Sequence, residues 1–126
     1  YRVEVAQPGE YLLPTGARLV FACGEQLAEG AGSVLFAAEQ LPFPFTVRSP
    51  RAGDRFQPFG MSGTKLLKDY FVDAKIDRES RMRTPVVCCG EEIIWLAGRR
   101  RCDRFRPVPG GKLLKITLLE PNQALE

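Results

Sequence analysis

The chain has 126 residues, a formal net charge of +3 at neutral pH and no histidine. Apolar residues make up 44% and charged residues 26%, which is typical of one globular domain and excludes wholesale disorder. The missing histidine excludes His-based catalytic triads and His-containing metal sites. No apolar run approaches the roughly 20 residues of a membrane span, so we expect no membrane partner.

The four cysteines, two of them adjacent at Cys88 and Cys89, show no Cys-x-x-Cys spacing. Adjacent residues of a strand point to opposite faces and cannot share a tetrahedral metal. We therefore expect four reduced thiols, without zinc or a disulfide, in a cytoplasmic protein.

Short segments that either alternate polar and apolar residues or are apolar on both faces predict about seven strands along the chain. The predicted strands are 2–6, 18–23, 33–38, 46–48, 85–89, 93–97 and 112–120, and a shorter apolar run covers 11–13. The pair 85–89 and 93–97 is expected to form a hairpin, with Trp95 in the core.

The segment between the fourth and fifth of these predicted strands, from residue 49 to residue 84, has a different pattern. Residues 49–63 contain two prolines and three glycines without periodicity, which predicts a long ordered loop or a run of turns. A helix that Ser62 or Thr64 would cap should follow, and Asp77 should cap a short helical turn. The stripe that this helix buries consists of Leu66, Leu67, Tyr70, Phe71 and Ala74. The sequence thus predicts an α+β domain, a β-rich fold with one inserted helix and a short helical turn.

Positive charge is concentrated in one part of the chain. Residues 48–106 hold 14 basic and eight acidic side chains, a net charge of +6, whereas residues 1–47 hold two basic and five acidic ones. Basic clusters with interleaved aromatic residues, as in the loop 99–106, indicate a polyanion-binding face. An ordinary solvated surface is the alternative.

Local motifs in the loop leave several alternatives open. Residues 60–65 lack the Gly-Lys-Ser/Thr of a P-loop, which excludes a Walker-type ATP site. A glycine at the helix start beside Lys65 either accepts a phosphate or only lets the loop enter the helix. Asp54 either orients Arg55 on a phosphate or caps N–H groups in a turn at Gly53, and we favour the turn.

The remaining charged groups and thiols carry no argument for catalysis. Arg78, Arg81 and Arg83 either face a nucleic-acid backbone or form surface ion pairs. The carboxylates are scattered, and no histidine is present to activate a thiol.

Between Arg48 and Gly98 the motifs occur in a characteristic order. They are Arg51 before Gly53-Asp54-Arg55, Pro58, Gly60-Met61-Ser62-Gly63, a helix with Lys65 and Lys68 ending in Asp73-Ala74-Lys75, a basic turn at Arg81, Pro85, and Ile93-Ile94-Trp95-Leu96-Ala97-Gly98. This order resembles the C-terminal domain of the tRNA(Ile)-lysidine synthetase family, with the strongest match over residues 48–98.

The resemblance implies that residues 1–126 are one tRNA-binding domain from a longer enzyme. That enzyme would be a tRNA-modifying ligase that uses ATP and Mg²⁺ to join lysine to C2 of the wobble cytidine of an isoleucine tRNA. Its N-terminal ATP-pyrophosphatase-type domain, with a Ser-Gly-Gly-x-Asp-Ser loop, has no counterpart in this sequence. The implied fold is β-sandwich-like and shared with a domain of the phenylalanyl-tRNA synthetase β-subunit.

The expected partners are tRNA and the N-terminal catalytic domain, and a homodimer stays open. The candidate tRNA-binding residues are Arg51, Arg55, Lys65, Lys68 and Arg81, which would contact phosphates rather than bases. No catalytic, cofactor-binding or metal-binding residue is expected in the chain itself. The alternative is a structural or dimerisation domain whose basic face is incidental, with Arg55 and Lys65 solvated or paired with Asp54 and Asp69.

Overall fold

The computed structural model describes residues 1–125 of the chain. The first strands are β1 (Arg2–Val5), β2 (Gly9–Leu12), β3 (Arg18–Gly24), β4 (Ser33–Ala37) and β5 (Phe45–Arg48). They are followed by β6 (Arg55–Phe56), β7 (Lys65–Leu66), α1 (Leu67–Asp73), α2 (Arg78–Met82), β8 (Val86–Cys89), β9 (Glu92–Leu96), β10 (Arg100–Arg101) and β11 (Leu113–Leu119). No helix of this part of the chain has the length and apolar character needed to cross a membrane.

Two antiparallel sheets pack against each other as a sandwich. The first sheet has the strand order β1-β5-β8-β9-β10, and the second has the order β2-β3-β11-β4. Side chains from both sheets form one main core, which includes Val5, Phe45, Val47, Val87 and Ile94 from the first sheet and Leu19, Phe21, Phe36, Leu114 and Ile116 from the second. Trp95 is 4% exposed in this core, which confirms its predicted position.

Residues 49–85 form an insertion between β5 and β8 that covers part of the outer face of the first sheet. Its hairpin β6–β7 and its helix α1 contribute Phe56, Leu67 and Phe71 to a second, smaller cluster. This cluster packs on the side chains of β8 and β9 that point away from the main core: Val86, Cys88, Ile93 and Leu96. The central strands are therefore buried on both faces, which explains their nearly continuous apolar sequence.

The structure confirms the β-rich prediction with inserted helices, but the helix begins later than predicted. Residues 65–66 are extended because they pair with β6, so α1 starts at Leu67, and its N-cap Leu66 makes no side-chain capping bond. The predicted caps Ser62 and Thr64 are therefore wrong. The predicted cap Asp77 is confirmed, since its side chain accepts the Ser80 N–H at 2.8 Å.

The predicted apolar stripe of the helix is only partly buried. Leu67 and Phe71 are buried, whereas Ala74 follows the last residue of α1 and is exposed. The two-residue strands β6, β7 and β10 were not predicted, because two residues cannot show a period.

Candidate nucleic-acid interface

The outer face of the first sheet is only partly covered by the insertion. On its uncovered side, Arg2 of β1 lies opposite Arg48 of β5, and Glu4 lies opposite Thr46. Residues two apart on a strand share a face, so these four side chains form the floor of an open cavity. The same cavity, whose volume is about 730 Å³, is also lined by Arg51, Gly53, Asp54 and Arg55. We call it the polar groove.

A buried ion pair joins the floor of the polar groove to the insertion. Arg48 Nη1 and Nη2 donate to Asp54 Oδ2 and Oδ1 at 2.9 Å each, and the two side chains are 8% and 10% exposed. Asp54 Oδ2 also accepts the Arg51 N–H at 2.7 Å. The Asp54 carbonyl accepts the Leu67 N–H at the start of α1 at 2.9 Å. Asp54 therefore connects β5, the loop and the helix.

The partners of Asp54 decide between the two hypotheses for this residue. It accepts an N–H within the turn at Gly53, where φ is 86°, which confirms the favoured turn. It is wrong that Asp54 orients or pairs with Arg55, because Asp54 is bound by Arg48. Arg55 Nε instead lies 3.4 Å from Thr64 Oγ1.

The charge state of Asp54 follows from the same contacts. Burial acts to raise the pKa of Asp54, but the hydrogen bonds from Arg48 and the Arg51 N–H act in the opposite direction. The net effect is a pKa below the ordinary value of 3.8. Asp54 is therefore ionised at neutral pH, and the ion pair with Arg48 is intact.

Three other guanidinium groups line the polar groove, and two of them were predicted. Arg51 and Arg55 are exposed there, and Arg2 joins them from β1. None of the three forms an ion pair with another residue of the described range 1–125. Glu4 and Glu91 also line the groove. Since the buried ion pair cancels its own charge, three positive groups face two negative ones.

Arg2 was missed because its position depends on the pairing of distant strands. The alternation of residues 2–6 places Arg2 on the polar face of a strand, but the sequence does not show which strand lies beside it. The register of β1 with β5 brings Arg2 next to Arg48. A predicted contact between these two segments would have been the signal that identified it.

Lys65 lies outside the polar groove and is already paired. It lines a separate cleft of about 230 Å³ together with Asp73 and Arg100, and its ammonium group forms an ion pair with Asp73. The predicted alternative partner, Asp69, is therefore wrong. Lys68 is exposed on α1.

Of the two alternatives left open for residues 60–65, the phosphate-accepting helix start is wrong. Lys65 belongs to β7, and Gly63 lies four residues ahead of the first residue of α1, Leu67. The free N–H groups at the beginning of the helix are therefore not those of the glycine turn.

Arg81 packs against the cluster of the insertion. Its Nε donates to the Ile76 carbonyl at 2.6 Å, and its guanidinium carbon lies 5.9 Å from the centroid of the Phe71 ring. This half-buried side chain connects α2 to α1. Surface ion pairs were the alternative role for Arg78, Arg81 and Arg83. Among the described residues, one such pair is present: Arg83 with Glu79, at 3.8 Å.

The basic loop 99–106 makes many contacts that hold the two sheets together. Arg101 Nη1 donates to the Leu35 carbonyl of β4 at 2.6 Å, and its guanidinium carbon lies 4.4 Å from the centroid of the Phe36 ring. Ion pairs connect two other arginines of the loop to acidic neighbours: Arg104 with Glu92, and Arg106 with Asp103. These contacts give the arginine cluster a structural role that charge counting did not predict.

All four cysteines are free thiols. Cys88 and Cys102 are buried, and Cys23 and Cys89 are half-buried. Burial raises the pKa of Cys102 to about 11, so this thiol is protonated at neutral pH. Within residues 1–125, no three side chains of metal-ligating type lie together as a candidate site.

Comparison with known proteins gives concordant matches. Residues 45–118 match the family described as the TilS substrate C-terminal domain. The tRNA(Ile)-lysidine synthase of Symbiobacterium thermophilum is 37% identical over 111 residues, which cover 84% of this chain and 23% of that protein. The tRNA(Ile)-lysidine synthase of Parabacteroides distasonis is 47% identical over 68 residues, which cover 54% of this chain and 16% of that protein. The chain thus spans less than a quarter of the length of these curated relatives.

A solved structure has the same fold over nearly the whole chain. It is described as the crystal structure of the TILS C-terminal domain and is 25% identical in sequence, with a TM-score of 0.81. The alignment covers 98% of this chain and 100% of that one.

Proposed function

Because the chain belongs to the TilS substrate C-terminal domain family, we propose that it is the tRNA-binding domain of a tRNA(Ile)-lysidine synthase. The whole protein would be a ligase that uses ATP and Mg²⁺ to join lysine to C2 of the wobble cytidine of an isoleucine tRNA. The chemistry would take place in an N-terminal catalytic domain, and residues 1–126 would hold the tRNA in the cytoplasm without a catalytic residue of their own.

The polar groove is the observation that carries this proposal. Its arginines Arg2, Arg51 and Arg55 have no acidic partner within residues 1–125. A guanidinium group can donate two parallel hydrogen bonds to phosphate oxygens. Phosphate and sugar contacts position a protein on a nucleic acid without reading its sequence. This arrangement suits recognition of the shape of a folded RNA.

The five predicted residues have unequal roles in this proposal. Arg51 and Arg55 line the groove and are free to bind phosphate, and Lys68 is exposed on the neighbouring helix. Lys65 would have to exchange Asp73 for a phosphate. Arg81 would bind phosphate only with the nitrogens that its bond to the Ile76 carbonyl leaves free. We therefore rank Arg51 and Arg55 first.

The test is the salt dependence of tRNA binding by the 126-residue chain. Each phosphate contact contributes roughly 0.7 to 0.9 to the slope of log K against log[salt]. The double variant Arg51→Gln/Arg55→Gln should weaken binding and reduce the magnitude of this slope by about 1.6, which is the value for two contacts. The measurement is fluorescence anisotropy of labelled tRNA across a salt series.

A charge-matched control separates these contacts from the effect of net charge. Lys112 directly precedes β11 of the second sheet and Lys115 belongs to that strand, and neither lysine lines the groove. The double variant Lys112→Gln/Lys115→Gln should retain the slope of the unmodified chain. Equal slopes for both double variants, with the fold intact by circular dichroism, would contradict the assignment to the groove.

A structural or dimerisation domain of the same enzyme is the second candidate function. It is favoured by the number of arginines that already bind protein groups, such as Arg48, Arg101 and Arg104. Absence of tRNA binding together with a concentration-dependent dimer in analytical ultracentrifugation would support this candidate.

A further inference from the structure

A second cavity, of about 370 Å³, lies at one end of the sandwich. Four separate segments form its walls: the turn before β3, the end of α2 with the link to β8, the turn from β9 to β10, and the end of β11. It has no lining residue in common with the polar groove. We call it the end cavity.

Arg99 is held in the end cavity by two consecutive hydrogen bonds. Its Nε donates to Thr84 Oγ1 at 2.9 Å, and the Thr84 hydroxyl donates to the Ser80 carbonyl at 2.9 Å. Thr84 is 3% exposed, so this support is buried. The two terminal nitrogens of Arg99 have no hydrogen bond to any other residue of the range 1–125 and belong to none of its ion pairs.

The backbone under Arg99 is fixed as well. Gly98 has a φ of +76°, and a Cβ at this position would lie 2.9 Å from Leu118 Cδ2. The Arg99 N–H donates to the Leu96 carbonyl at 2.8 Å. The turn is therefore tight and packed on β11, so Arg99 is presented from a rigid support, as a preorganised binding group requires.

Arg83 brings a second guanidinium group to the same cavity. Its contact with Glu79 spans 3.8 Å between side chains that are 63% and 81% exposed. An ion pair of this kind contributes little free energy, so Arg83 can exchange Glu79 for another anion. Glu120 is the carboxylate in the lining. Two positive groups thus face one negative group.

We propose that the end cavity is an oxyanion site that takes a phosphate group of the RNA bound at the polar groove. This inference rests on the tRNA-binding function proposed above. Arg99 would donate through its free terminal nitrogens, and Arg83 would supply the second charge. Because phosphate contacts fix orientation, two sites on different parts of the surface would align the domain on its RNA.

NMR of the backbone amides and arginine side chains of the 126-residue chain tests whether the site binds an oxyanion. Inorganic phosphate and tRNA are added separately at constant ionic strength. We expect both ligands to shift the Arg99 Nε and Gly98 N–H signals. The shift should require a lower concentration of tRNA than of inorganic phosphate. A response to inorganic phosphate with none to tRNA would overturn the assignment to RNA.

Substitutions test whether the site contributes to RNA affinity. Arg83→Gln/Arg99→Gln should weaken tRNA binding and reduce the magnitude of the salt slope by about 1.6, as two contacts require. The charge-matched control Lys112→Gln/Lys115→Gln lies near the opposite end of β11. If the two double variants have the same slope, the end-cavity proposal is overturned.

Variants of Thr84 test whether phosphate binding requires that Arg99 is held in position or only that it carries a positive charge. Thr84→Val removes the hydroxyl that holds Arg99 and should abolish the phosphate-induced shift of Arg99 Nε, whereas Thr84→Ser should preserve it. If Thr84→Val fails to fold, the exposed pair Arg83 and Arg99 still decides the question. An unchanged response in a folded Thr84→Val variant would overturn the role given to Thr84.

Failure of this inference is distinguishable from failure of the proposed function. If binding depends on Arg51 and Arg55 but not on Arg83 and Arg99, only the end-cavity proposal is overturned. If the unmodified chain does not bind tRNA, the proposed function and this inference are both overturned.

Discussion

The sandwich and the insertion are stabilised in different ways. In the sandwich, the facing sides of two sheets bury a continuous apolar core to which whole strands such as β11 contribute. The insertion contributes Phe56, Leu67 and Phe71 to its small cluster and is tied to the sheet by the buried Arg48–Asp54 pair. The part that carries the predicted contact residues Arg51 and Arg55 therefore depends more on polar links, and we expect it to open more readily than the sandwich.

The largest expected effect distinguishes the two apolar clusters. Phe21 is 1% exposed and contacts the rings of Tyr11, Phe43 and Phe45. Phe21→Ala should lower the unfolding free energy by about 4 kcal/mol, since it leaves a cavity in the main core. Phe71→Ala, in the smaller cluster of the insertion, should lower the unfolding free energy by about 3 kcal/mol. Chemical denaturation measures both values.

Hydrogen exchange shows where each of these substitutions acts. Phe71→Ala should raise amide exchange in residues 49–85 while the strands of the second sheet stay protected. Phe21→Ala should raise exchange in both sheets. Equal loss of protection throughout the domain in both variants would contradict the separation between sandwich and insertion.

The next largest effect concerns the ion pair of the insertion. Asp54→Asn leaves Arg48 buried without a carboxylate and should lower the unfolding free energy by about 3 kcal/mol. Asp73→Asn removes an exposed carboxylate of the same insertion. It should change the unfolding free energy by less than about 0.5 kcal/mol. Replacing both members, in Arg48→Met/Asp54→Leu, should recover part of the loss, because no buried charge then remains unpaired.

The pH dependence of unfolding gives a second check on Asp54. Its folded pKa lies below the ordinary value of 3.8, so its contribution to stability is present above that pH and is lost as the pH falls through the lowered pKa. The unfolding free energies of the unmodified chain and of Asp54→Asn should therefore converge below pH 3.8. A constant difference between them down to acid unfolding would contradict this linkage.

The smallest expected effect is a difference between the alkylation rates of two buried thiols. Cys88 belongs to the cluster of the insertion and Cys102 to the main core, and burial raises the pKa of both thiols. In a Cys23→Ser/Cys89→Ser background, iodoacetamide should alkylate Cys88 faster than Cys102, because the insertion that packs on Cys88 opens more often than the main core. Each difference of about 1.4 kcal/mol in opening free energy corresponds to a tenfold difference in rate. Mass spectrometry measures the rates, and faster labelling of Cys102 would contradict the prediction.

The strands of the sandwich could be predicted from the sequence because their periodicity is local. Strand β11 places every second residue, Leu114, Ile116 and Leu118, in the main core, and such a spacing is visible without knowledge of the neighbouring strands. The hairpin β6–β7 depends instead on the pairing of Arg55 with Leu66 and of Phe56 with Lys65. That pairing made Leu66 extended and moved the start of α1 beyond the predicted caps.

The candidate site was predicted in part for a similar reason. Arg51 and Arg55 stand out by charge and by the family motif around Gly53-Asp54-Arg55. Arg2 and the partner of Asp54 both depend on the position of β5, which local sequence does not give. The phosphate contacts of the five basic residues and the likeness to a domain of the phenylalanyl-tRNA synthetase β-subunit stay predictions.

The contacts of the basic loop have a consequence for self-association. The outermost strands of an open sheet present backbone groups to which another chain can add a strand. At β10 the Arg101 carbonyl is occupied, since it accepts the Phe59 N–H at 3.0 Å. At β4 the Arg101 side chain binds the Leu35 carbonyl, and the Ala37 N–H donates to Phe105. Within residues 1–125, one side of the sandwich is thus closed to a pairing strand.

The opposite side of the sandwich ends in β1 and β2, the other outermost strands of the two sheets. A second copy, or another segment of a longer chain, that joins by strand pairing would therefore be directed to β1 or β2. Strand β1 also carries Arg2 and Glu4 of the polar groove. An added strand at β1 would extend the floor of that groove, so self-association there and RNA binding would share one surface.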